Sequence, residues 1–276
     1  MAFIFSELVT ELAQSGLSGQ SKQITASAFI VAQRTLVLAV VLGSLLFNVK
    51  PWIPATVAFL ISSIIAVASC RSLLTWGGVH VLQLLSTSRG YWASSLTSSL
   101  TQLDVPTARV FGGDTASGIL AAGSRLGTPL NLVTNAMLNV FVPTLVKSDS
   151  IERDRLFRRM RTYAVWYAAA LAASSPLVVW ALIQILGSDY AYGWPVYIAI
   201  CLGAAMSGVS QTYQSLVYTE GRPARAALFV ATGTAISLAS MAIGVHLIGV
   251  EGLALGPVVG QAAILLMFHL DWMRRP

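Results

Sequence analysis

The chain has 276 residues, 55% of them hydrophobic and only 10% charged, with a formal net charge of +6. Its mean hydropathy is +0.72. A soluble domain carries about 25% charged residues because its outer shell faces water, so this composition excludes an ordinary soluble globule and fits a chain whose solvent is lipid.

Residues 1–16 hold Glu7 and Glu11 and no basic stretch. That excludes a signal peptide and leaves an amphipathic leader or the tail of an earlier helix. A spanning helix needs roughly 20 apolar residues, and the sequence predicts eight, at 24–47, 51–74, 91–111, 115–146, 163–186, 192–218, 223–248 and 252–270. No segment alternates with period two for long enough to build a barrel, and helices are the other structure that satisfies its backbone in lipid. The expected fold is all-α, a polytopic membrane bundle of about eight transmembrane helices. Short breaks at Asn48–Pro51, Gly112–Asp114, Gly187–Asp189 and Glu220–Pro223 make neighbouring helices antiparallel.

Basic residues collect in alternate connections. Lys22 precedes the first span, Arg71 and Arg89 lie between the second and third, and Lys147, Arg153, Arg155, Arg158, Arg159 and Arg161 between the fourth and fifth. Arg222 and Arg225 lie between the sixth and seventh, and Arg274 and Arg275 at the end. Cationic loops stay inside, so both termini are expected in the cytoplasm of a bacterial inner membrane protein. The stretch 151–161 is basic and amphipathic. It has two readings, a loop that sets topology or a surface for anionic headgroups.

Ionisable residues at membrane depth are costly and face a cavity or a partner. Arg34, Asp104, Arg109 and Arg125 are the ones that stand out. Asp104 and Arg109 are five apart, roughly 140° on a regular helix, so they do not meet unless Pro106 bends the turn. Arg109 and Arg34 also admit a plain reading, snorkelling to an interface. Asp104 is either a structural partner or part of a substrate path. Arg125 has no acid nearby in sequence, and its partner is Asp104 or a phosphate.

The same helix carries Gly123, Gly127, Asn131, Asn135 and Asn139 at every fourth position, a ridge for close packing, amide hydrogen bonds or both. Gln211, Tyr213 and Gln214 extend the polar set toward the cytoplasmic end of the sixth span, and Gly252, Gly256 and Gly260 on the eighth read as packing. Pro106, Pro129, Pro176 and Pro257 fall at membrane depth, where bent helices are common. Cys70 and Cys201 have no metal-ligand or disulfide spacing. His80, His246 and His269 are scattered, and neither a phosphate loop nor a nucleophile elbow occurs. The expectation is no enzyme activity, no catalytic residue, no cofactor and no metal, and nothing points to nucleic acid.

Residues 99–147, with Asp104, Gly112, Gly113, Ala122, Arg125, Leu126 and Pro143, resemble polysaccharide biosynthesis proteins of the O-antigen flippase (Wzx) type. These belong to the MOP exporter superfamily, together with the multidrug and toxin extruders. Residues 185–196, 219–223 and 248–261 are similar to later segments of that family, and the order and spacing together cover about two-thirds of the chain. A family tyrosine expected shortly before Arg125 is absent, since Ile119 and Leu120 stand there.

The resemblance implies a six-helix C-terminal lobe at 89–276 and a partial N-terminal lobe at 1–88, that is, a shortened flippase. It implies alternating access for a polyprenyl-diphosphate-linked oligosaccharide, with Arg125 first, then Arg34 and Arg109, on the diphosphate and Asp104 orienting an arginine. Asn139, Gln211 and Gln214 complete the expected substrate-binding set. Membrane lipids, a second half-transporter and glycan-assembly membrane proteins are the expected partners. Alternatives are a cation-coupled drug extruder, which favours acids over arginines in its cavity, and a non-transporting assembly subunit. A membrane-embedded polymerase or ligase would need a long outward loop, and none is predicted.

Overall fold

A computed structural model of the chain describes residues 101–274 continuously. Before them it describes residues 32, 35, 36, 39, 40, 43, 54, 56–58, 60, 61, 64, 65, 90, 93, 96, 97 and 100, each helical. Arg34 and the leader at 1–16 lie outside the described residues. The chain forms two compact units, Met1–His80 and Val81–Pro276, and the second holds all the elements below.

These are α1 (Asp104–Lys147), α2 (Ser150–Leu186), α3 (Trp194–Thr219), α4 (Pro223–Ile248) and α5 (Leu255–Met273), with 3-10 turns at Thr101–Leu103, Ser188–Gly193 and Gly249–Ala254. Among the described residues every element is helical, and the fold is an all-α polytopic membrane bundle. Large apolar side chains point outward along it, among them Val110, Val140, Trp166, Leu177, Ile185, Ile243 and Leu247. Such a surface would be untenable in water.

Two predicted spans share α1. Gly113 has φ 78° and ψ −169° and divides it, a conformation open to glycine and strained for other residues. Thr101 and Asp104 line the same recess as Asn131 and Asn135. A straight helix would hold Asp104 and Asn131 about 40 Å apart, so the chain folds back at the glycine. Residues 104–112 form a short arm and 114–147 a long one. Pro106 and Pro257 stand in the first turns of α1 and α5, directly after 3-10 turns. A missing N–H costs little there. Pro129 and Pro143 lie inside α1 and Pro176 inside α2.

The predicted span at 163–186 is the second part of a longer helix. α2 starts at Ser150, where the Asp149 side chain accepts the Glu152 N–H at 2.8 Å, an N-cap that satisfies one of the free donors of the first turn. The basic stretch is therefore helical and not a loop, and it buries Phe157 and Met160, with Ala164 following one turn on.

α3 is the centre, packed against α1, α2 and α5. Lipid supplies little drive to bring apolar helices together, so close approach and dispersion carry the packing. Small residues make that approach: a Cβ on Gly203 would lie 3.1 Å from the Pro257 carbonyl oxygen, and one on Gly123 2.5 Å from Ile200. The packing role read for Gly252, Gly256 and Gly260 holds, since they meet Gly244, Met241 and Ser237 of α4. At the end of α5, Asp271 is buried and pairs with Arg222 at 3.2 Å and Arg225 at 2.5 Å, while Glu220 also pairs with Arg222. This clasp ties the α3–α4 connection to α5. Burial by itself would lower the Arg222 pKa, but Glu220 and Asp271 outweigh it and hold the guanidinium above its ordinary value. Beside it, the Tyr213 hydroxyl bonds to His269 at 3.1 Å, and Arg161 stacks over Trp272 at 4.7 Å.

Candidate functional site

Two contiguous recesses open where the short arm of α1, its long arm, α3, α4 and α5 meet. The smaller holds about 290 Å³ and the wider about 720 Å³. Thr101, Asp104, Ser124, Gly127 and Asn131 are common to both walls. The fold-back at Gly113 brings Asp104 to this site from one arm and Arg125 from the other.

Asp104 begins α1 and is half-buried, and its Oδ1 accepts the Val105 N–H at 2.7 Å. Among the described residues it has no cationic partner. The reason is local: at the first turn, helix N–H groups lack carbonyl partners and the carboxylate takes one of them. Arg125 is exposed in the wall of the wider recess, and its guanidinium has no hydrogen-bond or ion-pair partner among the described residues. Four residues on, Pro129 has no N–H to return to the Arg125 carbonyl, so the helix is loosened at this point.

The remaining expected residues are placed elsewhere. Arg109 does not line either recess. Its Nε bonds to Asp114 at 2.9 Å, with both side chains well exposed. These two are five apart in sequence, yet they meet because Gly113 between them breaks the helix. Asn139 is exposed and outside both walls. Gln211 bonds through Nε2 to the Ser207 hydroxyl at 3.0 Å, and Ser207 lines the smaller recess. Gln214 bonds to the Tyr218 hydroxyl at 2.6 Å, outside the walls.

The ridge on α1 divides its work. Gly123 seals against Tyr197 and Ile200 of α3, whereas a Cβ on Gly127 would meet nothing within 4 Å, so Gly127 leaves room. Asn131 and Asn135 line the wider recess. The sequence reading passed over Thr101, Ser207, Thr234, Ser237 and Gln261 of the smaller recess. Serines and threonines in membrane helices usually bond their own helix, as Ser124 does to the Ala121 carbonyl, so their residue type carries little signal. Ser237 instead bonds across to the Gly256 carbonyl at 2.8 Å, and Thr234 Oγ1 and Asn131 Oδ1 are buried with no hydrogen-bond partner among the described residues.

Among the described residues, the chemistry in the walls is therefore one carboxylate among neutral hydroxyl and amide groups, with one guanidinium in the wider part. Oxygen donors around a single carboxylate suit a proton or a hard monovalent cation, and a free guanidinium suits a phosphate oxygen pair. No group of His, Cys, Asp and Glu able to hold a metal ion forms among the described residues.

No family model matches the sequence, and no curated protein matches it. Solved structures do. A point mutant of the Vibrio cholerae MATE transporter VcmN superposes with a TM-score of 0.81 at 16% identity, covering 99% of this chain and 68% of that one. The fold resembles that of MATE transporters. VcmN in its bent form gives 0.75 at 16% identity, over 99% of this chain and 66% of that one. A MATE protein solved in complex with MaL6 gives 0.72 at 14% identity, over 98% and 67%. The chain thus spans about two thirds of the length of these MATE proteins.

Proposed function

We propose that this chain is a membrane transporter of the MOP type that moves a polyprenyl-diphosphate-linked oligosaccharide across a bacterial inner membrane by alternating access, for surface polysaccharide synthesis. The MATE-like fold supports transport, and the anionic substrate rests on Arg125. Among the described residues its guanidinium has no partner; a bare guanidinium at membrane depth is costly, and a diphosphate would supply oxygens bidentately. The polyprenyl tail stays in lipid while the glycan enters the recess. Asp104 is the group that takes up a proton or a monovalent cation during the cycle. Both termini are cytoplasmic, and a second half-transporter or glycan-assembly membrane proteins are the partners.

The test is binding and flipping of a fluorescent polyprenyl-diphosphate glycan by the purified full chain in proteoliposomes. Loss of a charge-assisted contact costs about 1.5–3 kcal/mol, so Arg125→Ala should weaken binding roughly 10- to 100-fold and Arg125→Lys should retain part of it. Unchanged binding by Arg125→Ala, or equal binding of an uncharged polyprenol, would overturn the reading. Binding of lipophilic cations that depends on Asp104 would point to drug extrusion instead.

A further inference from the structure

The first three turns of α2 sort their arginines into two groups. Arg153 and Arg161 are used by the fold: Arg153 donates to the Ser148 carbonyl at 3.1 Å, and Arg161 lies over the Trp272 ring. Arg155, Arg158 and Arg159 are exposed and carry no side-chain hydrogen bond or ion pair among the described residues, although Glu152 and Asp154 are close in sequence. Their spacings of three and four place them on one helix face. Thr162 and Trp166 continue that face, with Tyr163 beside it, and Trp166 is 71% exposed and Tyr163 58%. Beyond them the same face runs through Leu177 and Trp180, also exposed.

One unbroken helix thus carries, in order, a guanidinium patch, an aromatic belt and an apolar stripe. Tyrosine and tryptophan sit at the membrane–water interface. Arg158 and Arg159 stand four to five residues beyond Tyr163, about 6–8 Å along the axis, which matches the roughly 5–8 Å thickness of one headgroup layer.

We propose that Arg155, Arg158 and Arg159 form a binding site for an anionic phospholipid of the surrounding leaflet, its phosphate on the guanidiniums and its acyl chains against Trp166. The fold already engages Arg153 and Arg161 of this segment. The other three are matched in charge and depth to lipid phosphate, and rigid attachment to α2 holds them there.

The experiment is quenching of tryptophan fluorescence in the intact chain reconstituted with dibrominated phosphatidylglycerol or dibrominated phosphatidylcholine. The difference between the chain and its Trp166→Phe variant isolates the Trp166 signal. Phosphatidylglycerol should quench that signal at a mole fraction at least three times lower than phosphatidylcholine, and added salt should reduce the preference. Arg155→Gln/Arg158→Gln/Arg159→Gln should abolish it, and the matching triple lysine variant should keep most of it. Equal quenching by the two lipids in the unaltered chain overturns the proposal without reference to any variant and leaves the patch to topology or an acidic protein. A preference that survives in the triple glutamine variant overturns it as well, because the lipid would then be held elsewhere.

Discussion

Asp104 and Arg125 line one recess without a charged partner among the described residues, although a continuous helix would separate them by about 30 Å. The positive φ of Gly113 turns the chain back between them. Neither side chain forms an ion pair among the described residues, so both charges stay available in the walls of the recess.

The first prediction follows from that freedom. Asp104→Asn and Arg125→Ala should each leave the thermal unfolding midpoint of the detergent-solubilised chain nearly unchanged, within about 0.5 kcal/mol, the range for substitutions outside packed or paired positions. In the first variant the amide oxygen of the introduced side chain would still accept the Val105 N–H. A large drop in melting temperature for either variant would show that the residue is structural.

Glycines supply a contrast within one helix. A Cβ at Gly123 would stand 2.5 Å from Ile200 and 2.8 Å from Tyr197, while one at Gly127 would meet nothing within 4 Å. Gly123→Val should destabilise by about 1–3 kcal/mol through overpacking. Gly127→Ala should fold normally and reduce only the room in the recess. Gly252→Ala should be worse than either, since its Cβ would lie 2.0 Å from the Gly244 carbonyl carbon, backbone that a rotamer change cannot move. Melting curves of the three variants rank them.

The Asp271 clasp makes a third case. Asp271→Asn removes the charge shared by Arg222 and Arg225 at the end of α5. Breaking a fully buried pair costs about 3–5 kcal/mol, but both arginines are partly exposed, so a loss of about 1–2 kcal/mol is expected after solvent screening. Hydrogen exchange should speed up in the α3–α4 connection around Glu220 and Gly221. Unaltered exchange there would remove the clasp from the account.

Topology gives a fourth prediction. In a background of Cys70→Ser and Cys201→Ser, a cysteine at Ser188 should react with an impermeant maleimide added to intact cells. One at Ser150 should react only after permeabilisation. The reverse pattern would invert the orientation drawn from the arginine distribution.

The membrane character, the helical class and, among the described residues, most helix limits could be read from local information. Runs of apolar residues set the spans, and 223–248 coincides with α4, because burial in lipid is decided residue by residue and needs no knowledge of neighbours. Arg125 and Asp104 were legible for a related reason, since a charge in an apolar run is conspicuous by itself. Arg109 was equally conspicuous, yet it bonds to Asp114 across a broken turn, and no spacing rule for a regular helix anticipates that pair.

What only the tertiary structure decided is which polar groups share a space. Thr234 Oγ1 and Asn131 Oδ1 each end buried in the smaller recess without a hydrogen-bond partner among the described residues, although they lie on different helices and belong to types that usually satisfy themselves locally. The extent of α2 was also hidden, because its first three turns look like a charged loop until Phe157 and Met160 find the core. Lipid solvation acts on each residue alone and is therefore written in composition. The recess arises from helices meeting, and meeting depends on close contacts such as Gly203 on Pro257, which join positions far apart in the chain.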